Sequence, residues 1–225
     1  MQLIDANKAL HGMTITAQSQ TGGKGQRGKQ WVDTPGKSLL MSIIINPIQE
    51  IQEQFSFNAS VASAIANVLQ KLNNNWRVHI KWPNDIIIND KKAGGILIEN
   101  ILRGSKWTHS VIGLGLNVNQ KELTGDLPYA TSLTIESGEN YLITELRDSI
   151  HAAIMNVADF PLSAQSAMTS YNEVLFKRGK MQRFSEQTKS WEVKIIGAHP
   201  DGRLEIVDEN GNTQFYFHGQ YEWCW

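Results

Sequence analysis

The sequence predicts an α+β protein, with a mixed central sheet and flanking helices over residues 1–177 and a small β-barrel over residues 178–225. Three observations lead there. Short β-branched runs crowd residues 78–118, apolar residues recur at helical spacing on either side of that stretch, and the chain beyond Gly179 changes to short β-rich segments separated by turn signals. Composition agrees: hydrophobic residues make up 41% and charged residues 19% of the 225, enough apolar material for such a core and too little charge for a disordered chain.

Taken in order, residues 1–10 read as the end of an amphipathic helix closed at Gly12, and residues 14–18 alternate as a strand. Residues 19–37 carry Gly22, Gly23, Gly25, Gly28, Pro35 and Gly36, a density that predicts a loop without regular structure. Residues 39–45 form a buried-type strand. Residues 55–72 place Ala62, Ile65, Ala66, Leu69 and Leu72 on one helix face. Residues 78–81, 86–88, 95–101 and 108–118 are successive strands, with Asn89-Asp90 at a hairpin tip. Helical spacing returns over residues 141–159 and 164–176, broken at Pro161. Residues 191–196, 203–207 and 213–217 are then strands, separated by the turns Pro200-Asp-Gly202 and Glu209-Asn-Gly211.

Several function classes drop out early. Lys+Arg 21 against Asp+Glu 22 leaves a formal net charge of -1, without the basic surplus of a general nucleic-acid binder. Cys224 is the single cysteine, so neither an internal disulfide nor a cysteine metal site is available, and the six His residues do not cluster at ligand spacing. The N-terminus lacks a signal-peptide pattern, and no apolar run approaches the roughly 20 residues that span a bilayer. The expectation is a cytoplasmic protein with neither nucleic acid nor membrane as partner.

Gly23-Lys-Gly-Gln-Arg-Gly28 satisfies a G-x-G-x-x-G pattern, and residues 23–29 satisfy most of a P-loop. Context rejects both. A dinucleotide fold needs a helix opening at the glycines and an acidic residue about 20 positions on, whereas Pro35-Gly36 forbids the helix and residues 39–48 are apolar or neutral. A P-loop needs Ser or Thr after its lysine, where Gln30 stands. A kinase glycine loop lacks its His-Arg-Asp partner downstream. What remains is Lys24, Arg27 and Lys29 among glycines, suited either to folding over an anion or to an ordinary solvated loop.

Lys81-Trp-Pro-Asn-Asp85 lies between two β-branched runs that hold its polar groups at strand ends. Lys81 can pair with a phosphate, Asn84 can orient an oxygen, and Asp85 can take a magnesium ion or its water. Lys92 follows, then Ala93-Gly94-Gly95-Ile96-Leu97, where a glycine pair allows a ligand against the backbone. The plainer reading is a Pro-Asn-Asp turn with two surface lysines.

Gln20-Thr-Gly-Gly-Lys-Gly-Gln-Arg-Gly-Lys-Gln-Trp31, Lys81-Trp-Pro-Asn-Asp85, Lys92-Ala-Gly-Gly-Ile-Leu97 and Gly113-Leu-Gly-Leu-Asn117 resemble, in order and spacing, the signature of biotin protein ligases. The resemblance implies a class II synthetase-like catalytic domain of the biotin/lipoate ligase type with an SH3-like C-terminal barrel, and no DNA-binding winged helix. It implies a ligase that activates biotin with Mg-ATP to biotinyl-5′-AMP and passes biotin to a lysine of a biotin carboxyl carrier domain of the acetyl-CoA carboxylase type. Mg-ATP and biotin are then substrates, with no tightly bound prosthetic group, and the protein is a monomer or homodimer.

By position, the resemblance places Lys92 near the biotin carboxylate and the α-phosphate, with Lys81 and Asp85 as further catalytic candidates and Asp85 on the magnesium side. It assigns Gln20, Lys24, Gly25, Gln26, Lys92 and Gly95 to biotin. Arg27, Lys29, Trp31, Lys81, Asn84 and Asn117 go to ATP, Trp31 covering the adenine face and Asn117 reading it. Three departures stand out. The sequence begins after the strand and the Ser-Thr-Asn tripeptide that relatives carry: either another segment fills that place, or the chain is truncated, which would leave an uncovered edge strand and an opened pocket, and the expectation is weaker biotin affinity and lower stability. Lys24 and Gln26 stand where relatives frequently have Arg, and Gln26 implies easier escape of the adenylate. Arg178 and Lys180 read as linker charges or as contacts to ATP or acceptor. Rival functions are a lipoate ligase and a catalytically impaired biotin-binding protein.

Overall fold

The computed structural model describes residues 1–225 except 26, 27, 29, 32 and 124–127. Its centre is a six-stranded sheet in the order β1-β4-β8-β7-β6-β5. The strands are β1 (Thr14–Ala17), β4 (Ser38–Ile45), β5 (Val78–Lys81), β6 (Asp85–Ile88), β7 (Lys91–Arg103) and β8 (Lys106–Asn117). All of its ladders are antiparallel, so the expected mixed sheet is corrected: parallel pairing is confined to the isolated bridges Ile80 to Leu175 and Lys92 to Ala130. Hairpins need only short turns, and the β6–β7 turn places Asn89 and Asp90 at φ 49° and 68°, which their short polar side chains tolerate.

Helices cover one face of this sheet. Helix α2 (Gln54–Leu72) buries Phe57, Val61, Ile65 and Leu69, and α4 (Ile143–Asp159) buries Leu146, Ile150, Ile154 and Ala158, both at i, i+4 spacing. Helix α5 (Ala164–Glu173) starts at Ser163, whose side chain accepts from the Ser166 N–H. Leu39, Met41, Ile43 and Ile45 of β4 and Ile112, Leu114 and Leu116 of β8 join the same core. By the strand period of two, Leu40, Gly113 and Gly115 face the other way.

Several local expectations are corrected. Helix α1 (Gln2–Asp5) is one turn long instead of filling residues 1–10. The glycine-rich stretch is not wholly irregular, because β2 (Gly23–Lys24) and β3 (Gln30–Trp31) pair across it. The helix expected over 164–176 stops at Glu173, and Leu175 instead bridges to Ile80. Helix α3 (Leu133–Ser137) was not expected; five residues are too few for periodicity to register.

The second sheet has five strands in the order β12-β11-β10-β9-β13: β9 (Met181–Glu186), β10 (Lys189–Ala198), β11 (Leu204–Asp208), β12 (Thr213–Tyr216) and β13 (Glu222–Trp223). Among the described residues no ladder joins β12 to β13. Phe184 centres its core, edge-on to Tyr216 at 5.3 Å and stacked on Trp223 at 5.4 Å. Hydrogen bonds tie this sheet to the rest of the chain: Trp82 Nε1, between β5 and β6, donates to the Gly202 carbonyl at 3.2 Å, and Asn172 Nδ2, on α5, donates to the Ala198 carbonyl at 3.0 Å.

Candidate active site

One transverse row of paired residues crosses all six strands: Ala17, Leu40, Gly115, Gly95, Asp85 and Lys81. Directly paired residues share a face, so this row lies on the side opposite the helices. Glycines occupy its two central positions. A Cβ on Gly115 would lie 2.8 Å from Cε2 of Trp31, so the indole lies on bare backbone. A Cβ on Gly95 would meet nothing nearer than Asp85 Oδ1 at 3.7 Å, which leaves open floor beside that carboxylate. Gly94 serves the fold instead, since a Cβ there would lie 2.7 Å from the Gly115 carbonyl.

Lys92 reaches this floor through a bulge in the β6–β7 ladder. Pairing jumps from Ile86 with Gly94 to Ile87 with Lys92, which turns the chain at Ala93. Lys92 Nζ then stands 2.6 Å from Asp85 Oδ1, both side chains about one third exposed. Such a pair contributes little to stability, but it aims the ammonium. Of the three N–H donors on Nζ, one goes to Asp85 and, among the described residues, two are left for an anion. The Trp31 Nε1 is buried against this floor without a hydrogen-bond partner among the described residues. On the loop side, a Cβ on Gly23 would lie 2.5 Å from Gln20 Oε1 and 2.7 Å from the Trp31 carbonyl, so Gln20 packs onto the β2–β3 ladder. Lys24 is exposed and Gly25 partly so. Cations, an indole and a glycine floor suit an elongated ligand with an anionic centre and a flat ring.

Other expected residues lie elsewhere or are otherwise engaged. Lys81 is 6% exposed, donates to the Trp223 carbonyl at 3.0 Å and sits 3.9 Å from the Trp225 ring centre, so its ammonium faces the C-terminal tail. Asn84 donates to the Ile96 carbonyl and holds the turn onto β7. It also lines a cavity of about 400 Å³, with Phe55, Asn58, Pro83, Ile96 and Phe217, which contains neither Lys92 nor Asp85. Asn117 Nδ2 donates to the Thr131 carbonyl at 3.0 Å and its Oδ1 accepts from Gln120 Nε2 at 3.3 Å, so its amide shapes the following loop. Gln26, Arg27 and Lys29 lie outside the described residues.

Burial pushes the Tyr171 hydroxyl well above the ordinary phenol range, and the Asp85 charge adds to it; the hydroxyl donates to the Pro83 carbonyl at 2.9 Å. Burial also holds His79, on β5, below the usual imidazole value. Asp85 is the carboxylate of the transverse row, and among the described residues no group of three or more His, Cys, Asp or Glu side chains converges.

Sequence reading missed the segment that closes one side of the site. The Lys92 N–H donates to the Tyr129 carbonyl at 2.6 Å, and the Thr131 N–H donates to the Lys92 carbonyl at 2.8 Å. Tyr129 stacks on Trp225 with ring centres 5.2 Å apart and 9° between planes. Ser132 and Gly138 were the available signals: Ser132 caps the start of α3 and Gly138 ends it at φ 80°.

The signature of the Biotin/lipoate A/B protein ligase family matches residues 4–117. The chain is 35% identical over 138 residues to the bifunctional ligase/repressor BirA of Bacillus spizizenii, covering 59% of this chain and 42% of that protein. It is 32% identical over 217 residues to the biotin--protein ligase of Homo sapiens, covering 90% of this chain and 29% of the human one. It thus spans less than half the length of these relatives. The solved biotin protein ligase of Aquifex aeolicus, in complex with biotin and ATP, superimposes with a TM-score of 0.76 at 21% identity over 95% of this chain and 89% of the other.

Proposed function

The chain belongs to the biotin/lipoate A/B protein ligase family, and from that premise we propose that it activates biotin with Mg-ATP and transfers the biotinyl group to a lysine of a carrier domain. The carboxylate oxygen of biotin attacks the α-phosphorus, the bond to the β-phosphate breaks, pyrophosphate leaves, and biotinyl-5′-AMP forms. The acceptor amine then attacks the carbonyl carbon of that mixed anhydride, forms the amide, loses a proton and releases AMP. No nucleophilic side chain of the chain takes part.

The observation that carries this reading is Lys92, aimed by Asp85 over the Gly95–Gly115 floor. Two anions must meet there, and a fixed ammonium reduces their repulsion and stabilises charge on the transferring group. Trp31, lying on Gly115, supplies a flat face for a ring. In this reading Gln20, Lys24, Gly25 and Gln26 are assigned to biotin, and Arg27 and Lys29 to the ATP phosphates. Magnesium would come with ATP, and Asp85 is the residue that would stand on its side of the site. The carrier is a biotin carboxyl carrier domain of the acetyl-CoA carboxylase type, and the protein acts in the cytoplasm as monomer or homodimer. Among the described residues no helix is long and apolar enough to cross a membrane.

The test is biotin-dependent exchange of labelled pyrophosphate into ATP, with lipoate as parallel substrate. Exchange with biotin alone, reduced about 10²- to 10³-fold in Lys92→Ala, is the expected result. Exchange with lipoate alone moves the protein to lipoate ligation, and biotin binding without exchange makes it a binding protein.

A further inference from the structure

Lys92 is fixed at its tip by Asp85 and at its backbone by two hydrogen bonds to the 129–131 segment, and that segment is anchored by one carboxylate that the proposed chemistry does not use. Glu136 on α3 is largely buried, with 10% of its side chain exposed. Each of its oxygens has a neutral partner: Oε1 accepts from the Thr131 hydroxyl at 2.6 Å, and Oε2 accepts from Asn89 Nδ2 at 2.8 Å. Lys91 Nζ lies 3.7 Å from Oε1. Thr131 contacts Lys92 directly, and Asn89 forms the tip of the hairpin from which Lys92 emerges. Asn89 Oδ1 also accepts from the Arg77 N–H at 3.1 Å, which carries the tie to edge strand β5. Glu136 therefore clamps the two segments that bracket Lys92, five residues beyond the first and on a separate element from the second.

The geometry points to Glu136 as a positioning residue for Lys92. It rests on the reading of Lys92 as the cation of the activation step, and it acts through Thr131 and Asn89 without reaching the floor itself. A carboxylate is the group the position requires. Its two oxygens accept from a hydroxyl and an amide on different sides, with the Lys91 ammonium 3.7 Å from Oε1, whereas a glutamine would turn an NH₂ toward one of those donors. Charge-assisted acceptance by a largely buried carboxylate is also stronger than a neutral bond, so the bracket stays closed when the ligand's negative charge pulls on Lys92.

Two measurements test this, one independent of activity. In Glu136→Ala, hydrogen exchange at the Lys92 and Thr131 amides is expected to accelerate at least about 10-fold, while the Ile112 and Leu114 amides of β8 keep their protection. Unchanged exchange at Lys92 and Thr131 overturns the proposal whatever the protein catalyses. In biotin-dependent pyrophosphate exchange, kcat is expected to fall about 10- to 100-fold in Glu136→Ala and to be only partly restored in Glu136→Gln, with KM for biotin moving far less. In a Lys92→Ala background, Glu136→Ala should cause no further loss of kcat, because a residue acting through Lys92 has nothing left to position. An independent, multiplicative loss in the double variant overturns the proposal. A wild-type protein silent in exchange overturns the ligase reading instead, and the amide measurement still decides whether Glu136 holds the bracket.

Discussion

Three neighbouring glycines separate what the fold needs from what the ligand needs. A methyl on Gly94 would lie 2.7 Å from the Gly115 carbonyl, 3.0 Å from Leu116 Cδ1 and 3.3 Å from Ile86 Cδ1. The carbonyl belongs to a paired strand and cannot withdraw without opening the β7–β8 ladder, so Gly94→Ala costs about 1 to 3 kcal/mol of overpacking. About 0.4 to 1 kcal/mol comes back through the lower entropy of the unfolded chain. The net loss lies between about 0 and 2.6 kcal/mol, and its middle, about 1 to 2 kcal/mol, is roughly 2 to 8 °C in Tm at this chain length. Gly95→Ala meets only Asp85 Oδ1 at an ordinary 3.7 Å, so the fold accepts it and the unfolded-state term leaves it unchanged or slightly more stable. Its methyl nevertheless stands on the site floor and should raise KM for biotin. Gly115→Ala is intermediate: the obstruction is the Trp31 ring at 2.8 Å, a side chain on a two-residue ladder that can slide, so stability falls less than in Gly94→Ala while ATP binding suffers. Denaturant unfolding of the three variants, paired with pyrophosphate exchange, measures both quantities. A Gly95→Ala protein destabilised as much as Gly94→Ala, or one with unaltered KM, would refute the assignment of these faces.

Two further outcomes follow from buried groups. His79 is held neutral by burial, its pKa lowered from about 6.5, so its contribution to stability is complete above that value and is lost as pH falls toward the lowered one. Unfolding midpoints should therefore drop between pH 7.5 and 5, and His79→Gln should flatten that slope; an unchanged slope contradicts the burial argument. Tyr171→Phe removes the only hydroxyl that donates to the Pro83 carbonyl among the described contacts, and an unfolding free energy lower by about 1 to 2 kcal/mol is expected, with an equal midpoint counting against it.

What the sequence disclosed follows from how far each contact reaches along the chain. Asp85, Lys92 and Gly95 lie within eleven residues on one hairpin, so their nearness was legible from local strand and turn signals, whereas the bulge that turns Lys92 to the face of Asp85 was not. The α2 and α4 faces were legible for the same reason, since each is a repeat read within a single element. The contacts of Lys81 with Trp223 and Trp225 were not legible because those residues come from the far end of the chain, and a five-residue motif carries no information about what packs on it. Strands β9 and β13 were missed on different grounds. Of the six residues of β9, Phe184 alone is buried, and β13 has two residues, so neither shows an alternation that a window could detect.

The Lys81–Asp85 segment has divided labour, and that division gives the second sheet its place in the argument. A buried ammonium needs its lost hydration replaced, and Lys81 obtains the replacement from β13 and the residues after it: a carbonyl at 3.0 Å and an indole face at 3.9 Å. Desolvated cation–π contacts contribute about 2 kcal/mol, and leaving such a charge without partners costs about 3 to 5 kcal/mol. Trp82 reaches the second sheet through Gly202, and Pro83 accepts from Tyr171 on α5, whose neighbour Asn172 bonds to β10. Only at Asn84 does the segment turn back to the first sheet, and only Asp85 faces Lys92. Three of the five residues thus couple the two sheets, and the fifth inherits its position from that coupling. A second sheet that held no ligand at all would still act on the chemistry, because it stabilises the buried edge strand against which Asp85, and through it Lys92, is aligned.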